Sequence, residues 1–120
     1  MPYVDGYVLP VPKKNLKAYK KMAALGCKIW MEHGALAYYE CSGDDLNNGA
    51  GMTFPRMCKL KKDETAIFAF IVYRNKAHRK KVNTKVMKDP RMKMPEGPDA
   101  MPFDMKRFAM GGFKTIVRAT

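Results

Sequence analysis

The sequence predicts an α+β subunit: a four-stranded antiparallel sheet with two helices on one of its faces. Three observations carry this. Thr65 to Tyr73 is a continuously apolar run rich in β-branched and aromatic residues, the pattern of a central strand. Between Leu16 and Trp30, apolar residues recur at steps of three and four, the pattern of an amphipathic helix. Strand-type and helix-type segments alternate as β-α-β and then again as β-α-β, the order of a split βαβ unit.

Tyr3 to Leu9 is β-rich and predicts the first strand, ending at Pro10 and Pro12 because proline cannot donate to a ladder. Lys13 to His33 predicts a long helix. Leu16, Tyr19, Ala23, Gly26 or Cys27, and Trp30 form its stripe, widened by Met22, Ile29 and His33, and Gly34 stands where a C-terminal cap belongs. Ala35 to Cys41 predicts the second strand. Ser42 to Pro55 is a turn-rich loop, and Phe54 to Leu60 reads as a short strand or an irregular segment. After the Thr65–Tyr73 strand, Lys76 to Lys88 predicts the second helix. Asn75 is its N-cap, Val82 and Val86 its thin stripe, and Pro90 its stop. Residues 91–104 read as a loop. Phe108 to Val117 predicts the last strand, with Gly111-Gly112 marking a bulge or a close backbone approach.

This order is that of a ferredoxin-like βαββαβ subunit. Two helices on one face leave the other face of the sheet uncovered, and a second copy packed sheet against sheet is the simplest cover.

At 120 residues the chain is one domain, 1–120, large enough for a real core. With 47% hydrophobic and 28% charged residues, disordered and fibrous classes are excluded. The longest apolar run is half the length of a membrane span, so no membrane partner is expected. The N-terminus has no basic start and an early acid, unlike a secretory signal. Three widely spaced cysteines without a CxxC predict neither a disulfide framework nor a zinc site. A reduced, cytoplasmic protein is expected.

Several segments resemble those of one family: Tyr3-Val4-Asp5-Gly6, Ala18-Tyr19, Met22-Ala23-Ala24, Glu40-Cys41 and Gly43-Asp44-Asp45. More specific are Asp89-Pro90-Arg91-Met92, Met101-Pro102-Phe103-Asp104 with Lys106-Arg107, and Gly111-Gly112-Phe113. Together they run the length of the chain and resemble the YbaA-like family of small bacterial proteins, a domain of unknown function. The resemblance implies a ferredoxin-like subunit of the dimeric α+β barrel class. It brings no activity with it. Relatives by fold include cofactor-independent monooxygenases and haem-binding enzymes that use a cavity between sheet and helices, which is analogy only. The second helix departs from the family pattern by being far more basic, with Lys80, Lys81 and Val82 where small or acidic residues are usual.

The net charge is +12. Nine basic residues and one acid between Arg74 and Lys93 supply two thirds of it. Such a patch attracts phosphates, though a solvated helix face is the plainer reading. Asp5 and Glu40 are polar positions on strands, and Arg107, just before the last strand, is a candidate partner for either. His33 lies at the edge of the first helical stripe and His78 on the stripe of Val82 and Val86, and both are candidate proton shuttles; a dipole-favoured helix end and a partly exposed position are their plainer readings. Cys27 reads as a small buried hydrophobe. Met92, Met94, Met101 and Met105 offer soft copper ligands but read as ordinary packing, and no metal site is expected.

The expectation is therefore a homodimer binding a small organic ligand in a cavity between sheet and helices. Tyr7, Tyr19, Trp30, Phe68 and Phe70 form its walls, and His33, His78, Asp5 and Arg107 are its candidate polar or catalytic groups. No cofactor is expected, and the sequence leaves open whether the chain is an enzyme. The alternative is nucleic-acid binding through Arg79, Lys80, Lys81, Lys85 and Lys88. Phe68 to Tyr73 matches part of an RNA-recognition signature that places aromatics on a sheet. Its basic-glycine start is missing, and these aromatics read as core.

Overall fold

Alternation along the strands decides how this chain is layered. The computed structural model describes residues 1–92 and 101–119. In chain order it contains β1 (Tyr3–Pro12), α1 (Leu16–Glu32), β2 (Ala37–Ser42), α2 (Phe54–Met57), β3 (Glu64–Tyr73), α3 (Lys76–Lys88) and β4 (Ala109–Lys114). Single 3₁₀ turns precede α1, at Lys13–Asn15, and β4, at Met105–Arg107. The strands form one antiparallel sheet in the order β2-β3-β1-β4.

In β3, Ile67, Ala69, Ile71 and Tyr73 are buried, while Phe68 between them is 47% exposed. Successive side chains point to opposite faces, so the buried set meets the helices and the alternate set, with Phe68, faces away from them. In β1, Asp5, Tyr7, Leu9 and Val11 share the helix side. Two clusters fill that side. One joins Leu9, Val11, Ile67 and Ala69 to Tyr19 and Ala23 of α1. The other joins Ile71 and Tyr73 to Ile29 of α1 and to Val82 and Val86 of α3. The thin stripe read from α3 is thus sufficient to seat it, and Asn75 caps it by accepting the His78 N–H at 2.8 Å.

Four sequence expectations need correction. Pro10 and Pro12 do not end β1. The strand pairs with β3 as far as Pro12↔Glu64, whereas β4 pairs only from Tyr3 to Val8. Both prolines lie where β1 has one neighbour and needs no second set of donors. The first helix starts at Leu16 rather than Lys13, after a 3₁₀ turn. Phe54 to Leu60 holds no strand but the one-turn helix α2, capped by Thr53, with Pro55 in its first turn. The last strand stops at Lys114. Its glycines keep regular register, Gly111 opposite Gly6 and Gly112 opposite Asp5, so there is no bulge. The close-approach reading of the pair stands, since a Cβ on Gly112 would fall on the Tyr3 ring. The loop read over residues 91–104 lies partly outside the described residues, as do Lys93 and Met94.

Candidate functional site

A cavity of about 260 Å³ lies between α1 and the sheet. Its floor is Tyr7 and Leu9 of β1 with Ala69 and Ile71 of β3, and its wall toward α1 is Tyr19, Met22 and Trp30. Phe103 and Phe108, stacked with centroids 5.7 Å apart, cover one side, and Arg91 and Met92 another. Phe103 meets Tyr19 edge-on at 5.8 Å, and Phe108 packs on Tyr7 at 5.9 Å. Small residues make the room: Ala23, Gly26 and Ala69 stand where larger side chains would fill it.

One carboxylate breaks this apolar lining. Tyr38 and Glu40 are two apart on β2 and therefore share the helix-facing side. Glu40 Oε1 accepts the Tyr19 hydroxyl at 2.6 Å, and its Oε2 accepts the Tyr38 hydroxyl at 2.7 Å. The bridge thus ties α1 to β2 through one acid. Burial first, then the Glu40 hydrogen bond and charge, raises the Tyr19 phenol far above its ordinary value. Burial and the Glu40 charge do the same to Tyr38. Both tyrosines therefore stay protonated and keep donating. An ionised carboxylate has about four lone-pair directions, so two remain free on Glu40. Among the described residues no cation stands within ion-pair distance of it. A more open groove on the α1–β2 side, lined by Lys17, Lys20, Cys27 and Ser42, shares Tyr19, Tyr38 and Glu40 with the cavity. The bridge is therefore a partition between the two spaces.

Trp30 is held in place from α3. Its Nε1–H donates to Asn83 Oδ1 at 3.0 Å, and the Tyr73 hydroxyl donates to the same oxygen at 3.2 Å. Burial, and then the Asp5 charge, raises Tyr7 to about 12.

The structure brings Tyr7, Tyr19 and Trp30 together in the cavity, as the sequence led one to expect. Phe68 and Phe70 are not there. Strand alternation sends them to the opposite face, where Phe70 stacks on Tyr39 at 5.0 Å. They are not core either: Tyr39, Phe68 and Phe113 are all exposed. None of the four candidate polar groups lines the cavity. Asp5, buried on β1, pairs with Arg79, whose Nε donates to Oδ2 at 3.0 Å. Asp5 Oδ1 lies 2.8 Å from Nη2 but outside hydrogen-bonding geometry. Arg107 grips Glu64 and Asp104 instead of Asp5 or Glu40, because its 3₁₀ turn sits beside the start of β3. His33 Nε2 meets Asp89 Oδ2 at 2.8 Å at the end of α1. His78 Nδ1 accepts the Arg74 N–H at 2.9 Å, and burial and Arg74 push its imidazole below the ordinary value, as suits a neutral acceptor.

Arg79 is likewise committed, to Asp5 and to the Tyr3 ring at 5.4 Å, so it is not a free phosphate ligand. Lys80, Lys81, Lys85 and Lys88 are exposed on α3. That helix covers the face of the sheet opposite the exposed aromatics.

The roles of Tyr38, Asn83, Phe103 and Phe108 are not evident from sequence alone, and Glu40, a candidate ion-pair partner by sequence, bonds instead to two tyrosines. The Tyr38-x-Glu40 spacing was the available signal. Phe103 and Phe108 are joined to the site only by long-range packing.

The chain is 41% identical over 117 residues to the uncharacterized protein YbaA of Escherichia coli strain K12, covering 98% of each chain. The YbaA of Shigella flexneri is similar to the same extent. A family model described as "Protein of unknown function (DUF1428)" matches residues 2–105. With that coverage and identity, the chain belongs to this family of proteins of unknown function.

Proposed function

We propose that the chain binds a small, largely apolar organic molecule between α1 and the sheet, and that it does so as a homodimer of ferredoxin-like subunits. One observation carries the ligand reading: an apolar cavity of about 260 Å³ ends on a carboxylate with unused lone pairs and no bound cation among the described residues. Sites for drug-sized ligands run from about 300 Å³ upward, so a single-ring molecule is the size that fits. Any cofactor-independent chemistry there would run through Glu40, the acid at that wall.

The strand order β2-β3-β1-β4, with α1 and α3 on one face, supports the ferredoxin-like assignment. The exposed face supports the dimer. Tyr39, Phe68, Phe70, Val72 and Phe113 carry no charge in a chain of net charge +12. Two copies can meet on that face without bringing their lysines together, and apolar burial drives the contact. Three unpaired thiols support a reducing, cytoplasmic location.

Nucleic-acid binding through α3 has weaker support. Among the described residues the one cation of the patch set over an aromatic ring, Arg79 on Tyr3, is already paired with Asp5, and base stacking calls for a free aromatic surface.

Trp30 is the only tryptophan and lines the cavity, so its fluorescence reports on occupancy. Titration with 2-phenylethanol should give a saturable change, weakened by Ala69→Leu, which fills the floor. A response that is linear and identical in the variant would overturn the ligand reading.

A further inference from the structure

We infer that the cavity selects an organic ammonium, an amine carried on a single apolar ring, and that Glu40 is the residue that recognises it. The inference rests on the ligand reading above and names the class of ligand.

The treatment of carboxylates elsewhere in the molecule supplies the contrast. Asp5 meets Arg79 at 2.8 Å, Glu64 meets Arg107 at 2.7 Å, and Asp89 meets both His33 and Arg91. Each well-covered carboxylate has a cation. Glu40, half-buried between the apolar cavity and the groove that Lys17 and Lys20 also line, has two tyrosine hydroxyls in that place and, among the described residues, no cation within ion-pair distance. Hydroxyls satisfy hydrogen bonds but do not balance charge, and a carboxylate turned toward apolar surroundings is stabilised most by a cation that also donates. An ammonium meets both demands at the two free lone-pair directions.

The rest of the lining agrees. Tyr19, Tyr38 and Trp30 present aromatic rings around the carboxylate, and such rings attract a cation. Tyr7, Phe103 and Phe108 offer flat apolar contact for the ring of the ligand. The other charged group at the wall, Arg91, is bound to Asp89 and Glu32, each at 2.7 Å. It is therefore not free to receive an acid. A carboxylic acid of the same size would meet Glu40 as a like charge.

Calorimetric titration of the intact protein with three probes on the same phenyl ring tests this: 2-phenylethylamine and 2-phenylethanol, which are isosteric, and phenylacetate, which is close to them in size. The amine should bind at least about tenfold more tightly than the alcohol, and the acid should not bind measurably. Glu40→Gln keeps the shape and an acceptor for either tyrosine. It should cost the amine about tenfold or more and leave the alcohol within about twofold. Circular dichroism of the variant checks that it folds. Equal affinity of amine and alcohol, or an amine affinity indifferent to Glu40→Gln, overturns the ammonium assignment while the cavity keeps its ligand. Failure of all three probes to bind overturns both.

Discussion

Arg107 closes a two-armed ion pair on Glu64, with Nη1 and Nη2 each 2.7 Å from a different carboxylate oxygen. Its Nε reaches Asp104 at 2.9 Å, and Nη1 also donates to the Lys59 carbonyl at 3.0 Å. One side chain thus fastens the approach to β4 onto the start of β3. Phe103 and Phe108, which cover the cavity, flank that fastening. Both partners are well covered, at 15% and 4% exposure, so loss of the arginine strands a charge. Arg107→Ala should destabilise the protein by about 3–5 kcal/mol, read as a lower midpoint in urea. It should also weaken ligand binding by loosening the Phe103–Phe108 cover. A midpoint equal to wild type would refute this role.

The acid limb of stability follows from the same class of contact. Hydrogen bonds from Arg91, then from His33, hold Asp89 well below the usual carboxylate range, and the Arg107 hydrogen bonds lower Glu64. A carboxylate whose folded value is depressed contributes stability above its unfolded value, about 4. That contribution is lost as pH falls from there toward the folded value. Unfolding measured by circular dichroism should therefore set in below about pH 4. Asp89→Asn should be less stable at neutral pH and flatter in its acid dependence. An unchanged acid profile in Asp89→Asn would contradict the assignment.

The tyrosines give the opposite sign at the alkaline end. Tyr7 is raised to about 12, and Tyr19, Tyr38 and Tyr73 are raised beyond it, burial being the largest cause in each. A phenol raised in the folded state contributes stability below its unfolded value of about 10, lost as pH climbs from there toward the folded one. Four of the six tyrosines should hold their protons until the fold opens. Ultraviolet difference absorbance should show a late step coinciding with loss of helical signal. Full ionisation with the helices intact would show these phenols to be exposed.

Phe68 tests the proposed dimer. It is 47% exposed in the single subunit and sits in the uncharged face with Phe70 and Tyr39. Sedimentation of the wild type should give twice the chain mass. Phe68→Asp should give the monomer with unchanged circular dichroism, because the side chain is outside the core. A wild-type monomer, or a dimer indifferent to Phe68→Asp, would count against the sheet-to-sheet contact.

Local pattern was enough for most of the fold. The apolar run of β3, the stripe from Leu16 to Trp30 and the Asn75 cap each lie within a few residues, where periodicity and capping chemistry act. Pairing is what local pattern lacks. Pro10 looked like a strand end because the sequence does not say that β4 leaves β1 after Val8. Period two separated Phe68 and Phe70 from Ala69 and Ile71, but not which pair meets the helices. Asp5, Glu40 and Arg107 stand out in the sequence as polar residues on or beside strands. Their partners, Arg79, Tyr19 and Glu64, come from other elements 74, 21 and 43 residues away. Only the folded chain brings such distances together.

The most direct test of the site is a crystal structure of the protein with 2-phenylethylamine bound. The ring should lie between Trp30 and Phe103 and the ammonium nitrogen within hydrogen-bonding distance of Glu40, with the Tyr19 and Tyr38 hydroxyls still on that carboxylate. An empty cavity at saturating amine, or an amine seated elsewhere with Glu40 facing solvent, would contradict this placement.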